Sequence, residues 1–352
     1  MRRMIAQQLL AWWDKHGRKH LPWQKDRSPY RIWVSEIMLQ QTRVETVMPY
    51  FERFMASFPD VQSLAAAHDD DVLAIWAGLG YYTRAHNMLK AGRIVVAQHG
   101  GELPSDFDSL VALPGIGRST AGAILALAHG QRRAILDGNA RRVLARVHGV
   151  EGWPGKASVS RTLWKLAETN TPSERVRDYT QAIMDLGATV CLRRNPHCGA
   201  CPLAECCRAR KHDLTAKIPA SKPKANRPLK RRSMLVVQRP DGAVLLHRRP
   251  PTGIWAALWS LPTLDDRESA RDWCARVLGC SPQSHAELAP IRHGFSHFEL
   301  DIRPIHLTVS TMPAGIRDGD QWRWHDGVQE LGMPAPIRRL VESLEVGAVD
   351  PR

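Results

Sequence analysis

Four cysteines crowd one short stretch of chain as Cys191-x6-Cys198-x2-Cys201-x5-Cys207. Thiolates are soft ligands, and four of them this close select zinc or an iron–sulfur cluster. Structural zinc sites commonly pair two CxxC units across a fold. Here one CxxC stands between irregularly spaced outer cysteines, a spacing that suits an iron–sulfur cubane better than a zinc knuckle. Cys206 is an alternative fourth ligand by adjacency. Cys274 and Cys280 lie far down the chain and are expected to be unliganded.

Two carboxylates stand in company that could give them chemistry. If residues 31–42 form a helix, Glu36 shares a face with Ile32, Trp33, Leu39 and Gln40. A desolvated carboxyl holds its proton to higher pH and can protonate a leaving group. Asp137 lies where the run AILD meets a new helix, GNARRVLARV. There it is a candidate helix cap, in competition with Asn139, or a second carboxylate with a separate task. Between them sits Leu113-Pro114-Gly115-Ile116-Gly117, flanked by two helical patterns. Pro114 stops the first helix. Gly115 and Gly117 let the backbone turn tightly, and the second helix then offers free N–H groups to an anion. Such a turn would hold DNA backbone without reading bases.

The elements that must carry these residues divide the chain. Residues 1–210 read as all-α, with helical periodicity over 61–79 and 119–130. Residues 211–232 read as a basic, Pro- and Ala-rich interdomain linker. Residues 233–352 read as α+β. Two apolar runs flank a Pro-Asp-Gly turn (234–247), another strand lies at 298–309, and a helix is expected at 269–279. The 352 residues carry 49 Lys and Arg against 35 Asp and Glu, a net charge of +14. That charge belongs to the part of the chain before position 233. Residues 208–232 hold 10 basic and 1 acidic side chain, whereas 233–352 hold 13 and 15, with no Lys. The balance favours a polyanionic partner. No apolar run is long enough for a transmembrane helix, and MRRMIAQQLLAWWDKHG lacks a secretory pattern. A bacterial, cytoplasmic protein is expected, without membrane attachment.

The segments LPWQ (21–24), SEIMLQQT (35–42), GLGYY (78–82), LPGIGRSTAGAI (113–124) and LDGNARRV (136–143) and the cysteine loop resemble the helix-hairpin-helix DNA glycosylase superfamily. Within it, they are similar to the MutY-type adenine DNA glycosylases. GIWAALWSLP (253–262) and FSH (295–297) extend the resemblance past the linker.

The resemblance implies a multidomain protein: an all-α helix-hairpin-helix glycosylase domain with an iron–sulfur cluster loop, then an α+β domain similar to MutT and the Nudix hydrolases. It implies a monomer, nucleoid-associated through its DNA, that removes adenine mispaired with 8-oxoguanine or guanine after flipping it from the duplex. Carried onto matching positions, Glu36 is the acid for adenine N7. Asp137 is the carboxylate that steadies the positive sugar, and Asn139 orients the apparatus. Trp23, Gln24 and Gln181 line the adenine pocket, while Gln41, Thr42, Leu79 and Tyr81 fill or wedge the duplex. Gly115 and Gly117 meet phosphate, and Phe295, Ser296 and His297 read 8-oxoguanine. Cys191, Cys198, Cys201 and Cys207 bind one 4Fe–4S cluster.

Endonuclease III-like relatives carry a nucleophilic Lys where this chain has Ser119, so a monofunctional enzyme is expected. The stretch 264–279 lacks the Glu-rich Mg²⁺ array of a Nudix hydrolase, so that domain is expected to be inert as a hydrolase. An endonuclease III-like lyase and a non-catalytic DNA-binding or redox-sensing iron–sulfur protein are the competing readings.

Overall fold

The computed structural model describes residues 2–223, 226–250, 252–295, 297–309, 319, 321–328 and 331–346. The chain forms two compact units, Met1–Ala67 with His86–Lys224 and His68–Ala85 with Ala225–Arg352. Up to the cysteine loop the helices are α1 (Arg2–His16), α2 (Pro22–Lys25), α3 (Pro29–Met38), α4 (Val44–Ser57), α5 (Val61–Ala66), α6 (Asp69–Trp76), α7 (Thr83–Gln98), α8 (Phe107–Ala112), α9 (Arg118–His129), α10 (Gly138–His148), α11 (Ala157–Asn170) and α12 (Val176–Thr189). Beyond it come α13 (Arg208–Lys211), α14 (Ala270–Trp273) and α15 (Ala335–Val346).

Local chemistry sets the helix ends of the first unit. Ser28, Asp60, Asp106 and Asp137 each cap a helix N-terminus with a side-chain oxygen, satisfying amides that lack an intrahelical partner. Gly130 and Gly149 close α9 and α10 in the left-handed conformation. At the centre runs α9, with Ala121 through Leu127 all buried, packed against α3, α8 and α12. In turn α12 packs on α1 and α10. Its approach to α10 is possible because residue 187 is glycine. A Cβ there would lie 2.5 Å from the Asn139 Cβ and 2.9 Å from its Cα. The turn from α8 to α9 needs glycine for two reasons. Gly115 has φ +81°, and a Cβ on it would meet the Asn87 Cβ at 2.9 Å.

In the second unit the described residues form seven strands: β1 (Leu229–Gln238), β2 (Val244–Arg248), β3 (Trp259–Ser260), β4 (Ser284–Glu287), β5 (Ile291–Gly294), β6 (Glu299–Thr308) and β7 (Trp322–His325). They make a mixed sheet in the order β3-β2-β1-β6-β4, with β5 beside β6 and β7 beside β2. The expected hairpin is β1–β2, antiparallel with Gln238 opposite Val244. Parallel pairing of β1 and β6 runs from Leu229 opposite Glu299 to Gln238 opposite Thr308. Alternation along β1 sends Met234 and Val236 to one core, with Trp259, Ile302 and Ile337 of α15. Leu235 and Val237 go to the other, with Trp273 of α14 and Cys274 and Leu278 of the π-helical turn that follows it.

Residues 68–85 are mostly helical as expected and group by contact with the second unit. There the Tyr82 hydroxyl donates to the Met333 carbonyl (3.1 Å) and Asp70 pairs with Arg248 (3.1 Å). The periodicity over 61–79 is also split into α5 and α6 at Ala67–His68. The basic segment 211–232 is anchored at both ends. Ile218 is buried and its carbonyl accepts from Arg146 Nε (2.9 Å), the Ala220 amide donates to the Gly152 carbonyl (3.2 Å), and Leu229–Arg232 already lie in β1.

Replacing Gly187 by Ala forces the α10–α12 contact apart. The expected loss is about 1–3 kcal/mol, read by calorimetry as a melting temperature several degrees lower. An unchanged melting temperature would show that the two helices can separate without cost.

Candidate active site

Glu36 is held on a helix that is otherwise committed to the core. α3 begins with Ser28, whose hydroxyl accepts from the Arg31 amide, and with Pro29, whose fixed φ suits a first helical position. Tyr30, Ile32, Trp33, Val34, Ser35, Ile37 and Met38 are all buried. Burial, and behind it the charge of Asp137, push the Glu36 carboxyl up to about 8. At neutral pH it therefore carries a proton it can give away.

Asp137 is the N-cap of α10. Its carboxylate accepts from the Asn139 amide (3.0 Å) and the Ala140 amide (2.8 Å), against the positive end of the helix dipole. The residue before it is fixed by Ser119, whose hydroxyl accepts from the Leu136 amide at 3.0 Å. The Asn139 side-chain oxygen accepts from Arg142 Nη2 at 2.8 Å. The same guanidinium donates to the Gly187 carbonyl (2.6 Å) and, through Nε, to the Cys191 carbonyl (2.7 Å).

The remaining candidate residues divide sharply. Both side-chain amide atoms of Gln24 are buried and have no hydrogen-bond partner. An amide left so costs stability unless a ligand completes it. Its neighbour Trp23 is buried, edge-on to Phe51 at 5.4 Å. Gln181 is buried and donates to Asp185 (2.9 Å), a carboxylate that also accepts from Trp13 Nε1 and pairs with Arg18. Gln41 is exposed at the end of α3 with φ +61°, and Tyr81 is exposed with φ +50°. These are costly backbone conformations for residues with a Cβ. Thr42 donates to the Gln40 carbonyl at 3.4 Å. Leu79, expected at the duplex surface, is buried. Gly117 caps α9 with open space around its Cα, and no side chain caps that helix. In the second unit, Phe295 stacks on Phe298 at 4.5 Å with Trp255 and His293 beside it, and His297 is exposed. Ser296 lies outside the described residues.

The cysteine loop closes over α10. Cys191, Cys198, Cys201 and Cys207 line one cavity together with Val143, Arg146 and Leu186. Cys206 does not line it; its thiol is directed at the Leu203 carbonyl. Among the described residues no three His, Cys, Asp or Glu side chains gather tightly enough to hold a single ion. Burial pushes the Cys201 thiol up to about 12 and the Cys207 thiol upward as well. Burial thus opposes the thiolate form at those two positions, and a bound metal would favour it. Arg146 is 2% exposed and donates to the carbonyls of Leu192 (2.6 Å), Arg193 (3.1 Å) and Ile218 (2.9 Å) and to the Cys191 sulfur (3.3 Å). Sequence reasoning missed Arg142 and Arg146. The available signal was their i, i+4 spacing on α10, which sets both on the helix face that meets the cysteine loop.

The raised Glu36 carboxyl has a consequence for stability. From about pH 4.5 to 8 the unfolded carboxyl is ionised while the folded one keeps its proton, so wild-type stability falls relative to Glu36→Gln. The variant should match the wild type at pH 4 and melt progressively higher up to pH 8, with no further gain above. A pH-independent difference in melting temperature would contradict the burial of that carboxyl.

Comparison with known proteins supplies the family. Residues 34–169 match the model of the HhH-GPD superfamily of base excision DNA repair proteins, and residues 233–343 match that of the NUDIX domain. The adenine DNA glycosylase of Buchnera aphidicola subsp. Schizaphis graminum is 37% identical over 96% of this chain and 98% of its own length. The human adenine DNA glycosylase is 34% identical over 94% of this chain and 72% of its own. The solved structure of a thermostable thymine-DNA glycosylase, 27% identical, superposes with a TM-score of 0.54 over 60% of this chain and 97% of that one. With both family domains in order and relatives matched along nearly the whole chain, the protein belongs to the adenine DNA glycosylase family of base excision repair enzymes.

Proposed function

We propose that the enzyme hydrolyses the N-glycosidic bond of adenine mispaired with 8-oxoguanine, and with guanine, and leaves an abasic site without cutting the strand. The observation that carries this reading is the unequal pair of carboxyls: Glu36 pushed up to about 8 and Asp137 held by two amides at a helix N-terminus. Two carboxyls held in different protonation states can serve as acid and as charge stabiliser. Glu36 gives its proton to adenine N7 as the C1′–N9 bond breaks, so the base leaves neutral. Asp137 faces the positive charge that develops on the sugar. Water adds to C1′, and its proton returns to Glu36.

Gln24 offers an unpartnered buried amide, which suits the paired donor and acceptor of an adenine edge. Trp23 backs that pocket. Gln181 lines it too, held by its hydrogen bond to Asp185, and Asn139 orients Asp137. Gly115, Gly117 and the uncapped first turn of α9 suit a phosphate. Gln41 and Thr42 in the first unit, and Leu79 and Tyr81 in the second, belong to the segments that meet the duplex beside the opposite base. Phe295, Ser296 and His297 recognise 8-oxoguanine, a role supported by the exposed His297 beside the half-buried Phe295.

Ser119 cannot form a Schiff base, and its oxygen is already engaged by the Leu136 amide. In the second unit Glu268 is paired with Arg276 through both oxygens (2.8 and 3.0 Å), which leaves it poorly suited to hold Mg²⁺. Cys191, Cys198, Cys201 and Cys207 would hold one 4Fe–4S cluster. The donor set fits it: four thiols around one cavity, with a buried guanidinium to balance their charge. When bound, the cluster supplies a rigid cross-link of the loop. The enzyme acts as a monomer on double-stranded DNA.

Duplexes carrying adenine opposite 8-oxoguanine, guanine, cytosine or thymine test the reading, each sample split and half treated with alkali. Breaks should appear only after alkali, most with 8-oxoguanine, and Glu36→Gln should slow base release by about 10²–10⁴ while still binding the duplex. Breaks without alkali, formed in step with base release, would overturn the monofunctional assignment. The purified protein should be brown, and a colourless protein holding zinc would overturn the cluster.

A further inference from the structure

Arg84, a buried guanidinium in the first turn of α7, has no task in the chemistry described so far. It follows a turn, residues 78–82, in which Gly78 (φ +93°), Gly80 (φ +74°) and Tyr81 (φ +50°) all lie at positive φ. The two glycines adopt that backbone freely. Tyr81 does not, and its ring is nevertheless 56% exposed. A large side chain keeps such a backbone only where its surroundings over-determine it.

Arg84 supplies most of that determination. Its Nη2 donates to the Leu79 carbonyl (3.3 Å) and the Gly80 carbonyl (3.0 Å). Trp76 Nε1 donates to the same Gly80 carbonyl at 3.1 Å. The Arg84 amide donates to the Tyr81 carbonyl at 2.9 Å. The guanidinium carbon also lies 5.4 Å from the centre of the Tyr81 ring and 5.3 Å from that of Trp76, within cation–π range. Burial pulls the Arg84 guanidinium down to about 10, so it is still charged at neutral pH. Returning Tyr81 to an ordinary φ would swing the Gly80–Tyr81 peptide, and its carbonyl would leave both donors. A buried guanidinium that loses an acceptor is costly, so the turn and Arg84 hold one another in place.

We propose that Arg84 is a positioning residue that fixes Tyr81 in its outward, left-handed posture, set to enter the base stack as adenine leaves it. The proposal rests on the reading that this turn meets the duplex. A ring fixed in advance enters the stack without a fresh loss of conformational freedom at each encounter with DNA. Arg84 itself touches neither the base nor the sugar; it acts through Tyr81.

A double-mutant cycle in the full chain tests it, read as the single-turnover rate of adenine release from an A:8-oxoguanine duplex at saturating enzyme. Tyr81→Ala and Arg84→Gln should each slow release about tenfold, and the two together should be no slower than Tyr81→Ala alone to within about twofold, because one residue acts through the other. A further tenfold loss from Arg84→Gln on the Tyr81→Ala background overturns the proposal, since a merely structural arginine would act whatever stands at position 81. A wild-type rate in Arg84→Gln beside a slow Tyr81→Ala also overturns it, and leaves the duplex reading of the turn intact. A wild-type rate in Tyr81→Ala instead overturns that reading, and the proposal falls with it. If Arg84→Gln melts below the assay temperature, Arg84→Lys takes its place in the cycle. Lysine keeps the charge but not the guanidinium that meets two carbonyls and a ring together, so release should still slow about threefold or more. A wild-type rate in that variant overturns the proposal.

Discussion

A guanidinium buried away from any carboxylate constrains the whole first unit. Arg146 is such a group: among the described residues its donors go to three backbone carbonyls and one cysteine sulfur. A buried charge is tolerated only when its hydrogen bonds are complete and an opposite charge is near. The carbonyls exist in the right positions only when residues 191–218 wrap over α10. The opposite charge would come from the cysteines as thiolates, a form that burial opposes at Cys201 and Cys207 and that bound metal would favour. Folding of the cysteine loop and burial of Arg146 are thus one event.

That event reaches the carboxylate at the other end of the same helix. One turn before Arg146, Arg142 ties the Cys191 carbonyl to the Asn139 side chain, and Asn139 follows Asp137 by two residues. Gly187 lets α12 press against the backbone at Asn139. Asp137 is therefore the end of a rigid assembly rather than a residue on a free loop. Glu36 reaches its state by another route, between the buried Ser35 and Ile37 of a helix that also buries Ile32 and Trp33. Burial raises the Glu36 carboxyl, with the charge of Asp137 adding to it.

Much of this was legible because it is local. The cysteine spacing, the Leu-Pro-Gly-Ile-Gly turn, the apolar face around Glu36 and the β1–β2 hairpin each express themselves within one short stretch of chain, and the structure forms the corresponding elements. What the sequence hid depends on distant partners. The commitment of Gln181 to Asp185, and of that carboxylate to Trp13 and Arg18, joins the start of the first unit to its last long helix. Residues 68–85 look helical in sequence, and nothing local announces that Tyr82 and Asp70 find Met333 and Arg248. The orphaned amide of Gln24 is likewise invisible in sequence, since an absent partner leaves no pattern. The exposed Gln41 and Tyr81 with positive φ run against local preference, and such conflicts concentrate where function demands them.

The central claim is that Glu36 is protonated at neutral pH and must be so to release adenine. The direct test is the single-turnover rate of adenine release from an A:8-oxoguanine duplex, followed from pH 6 to 10 with saturating enzyme. The rate should hold roughly level up to about pH 8 and then fall about tenfold per pH unit, as an acid with a single essential proton requires. A rate that stays level or rises between pH 8 and 10 would contradict the account.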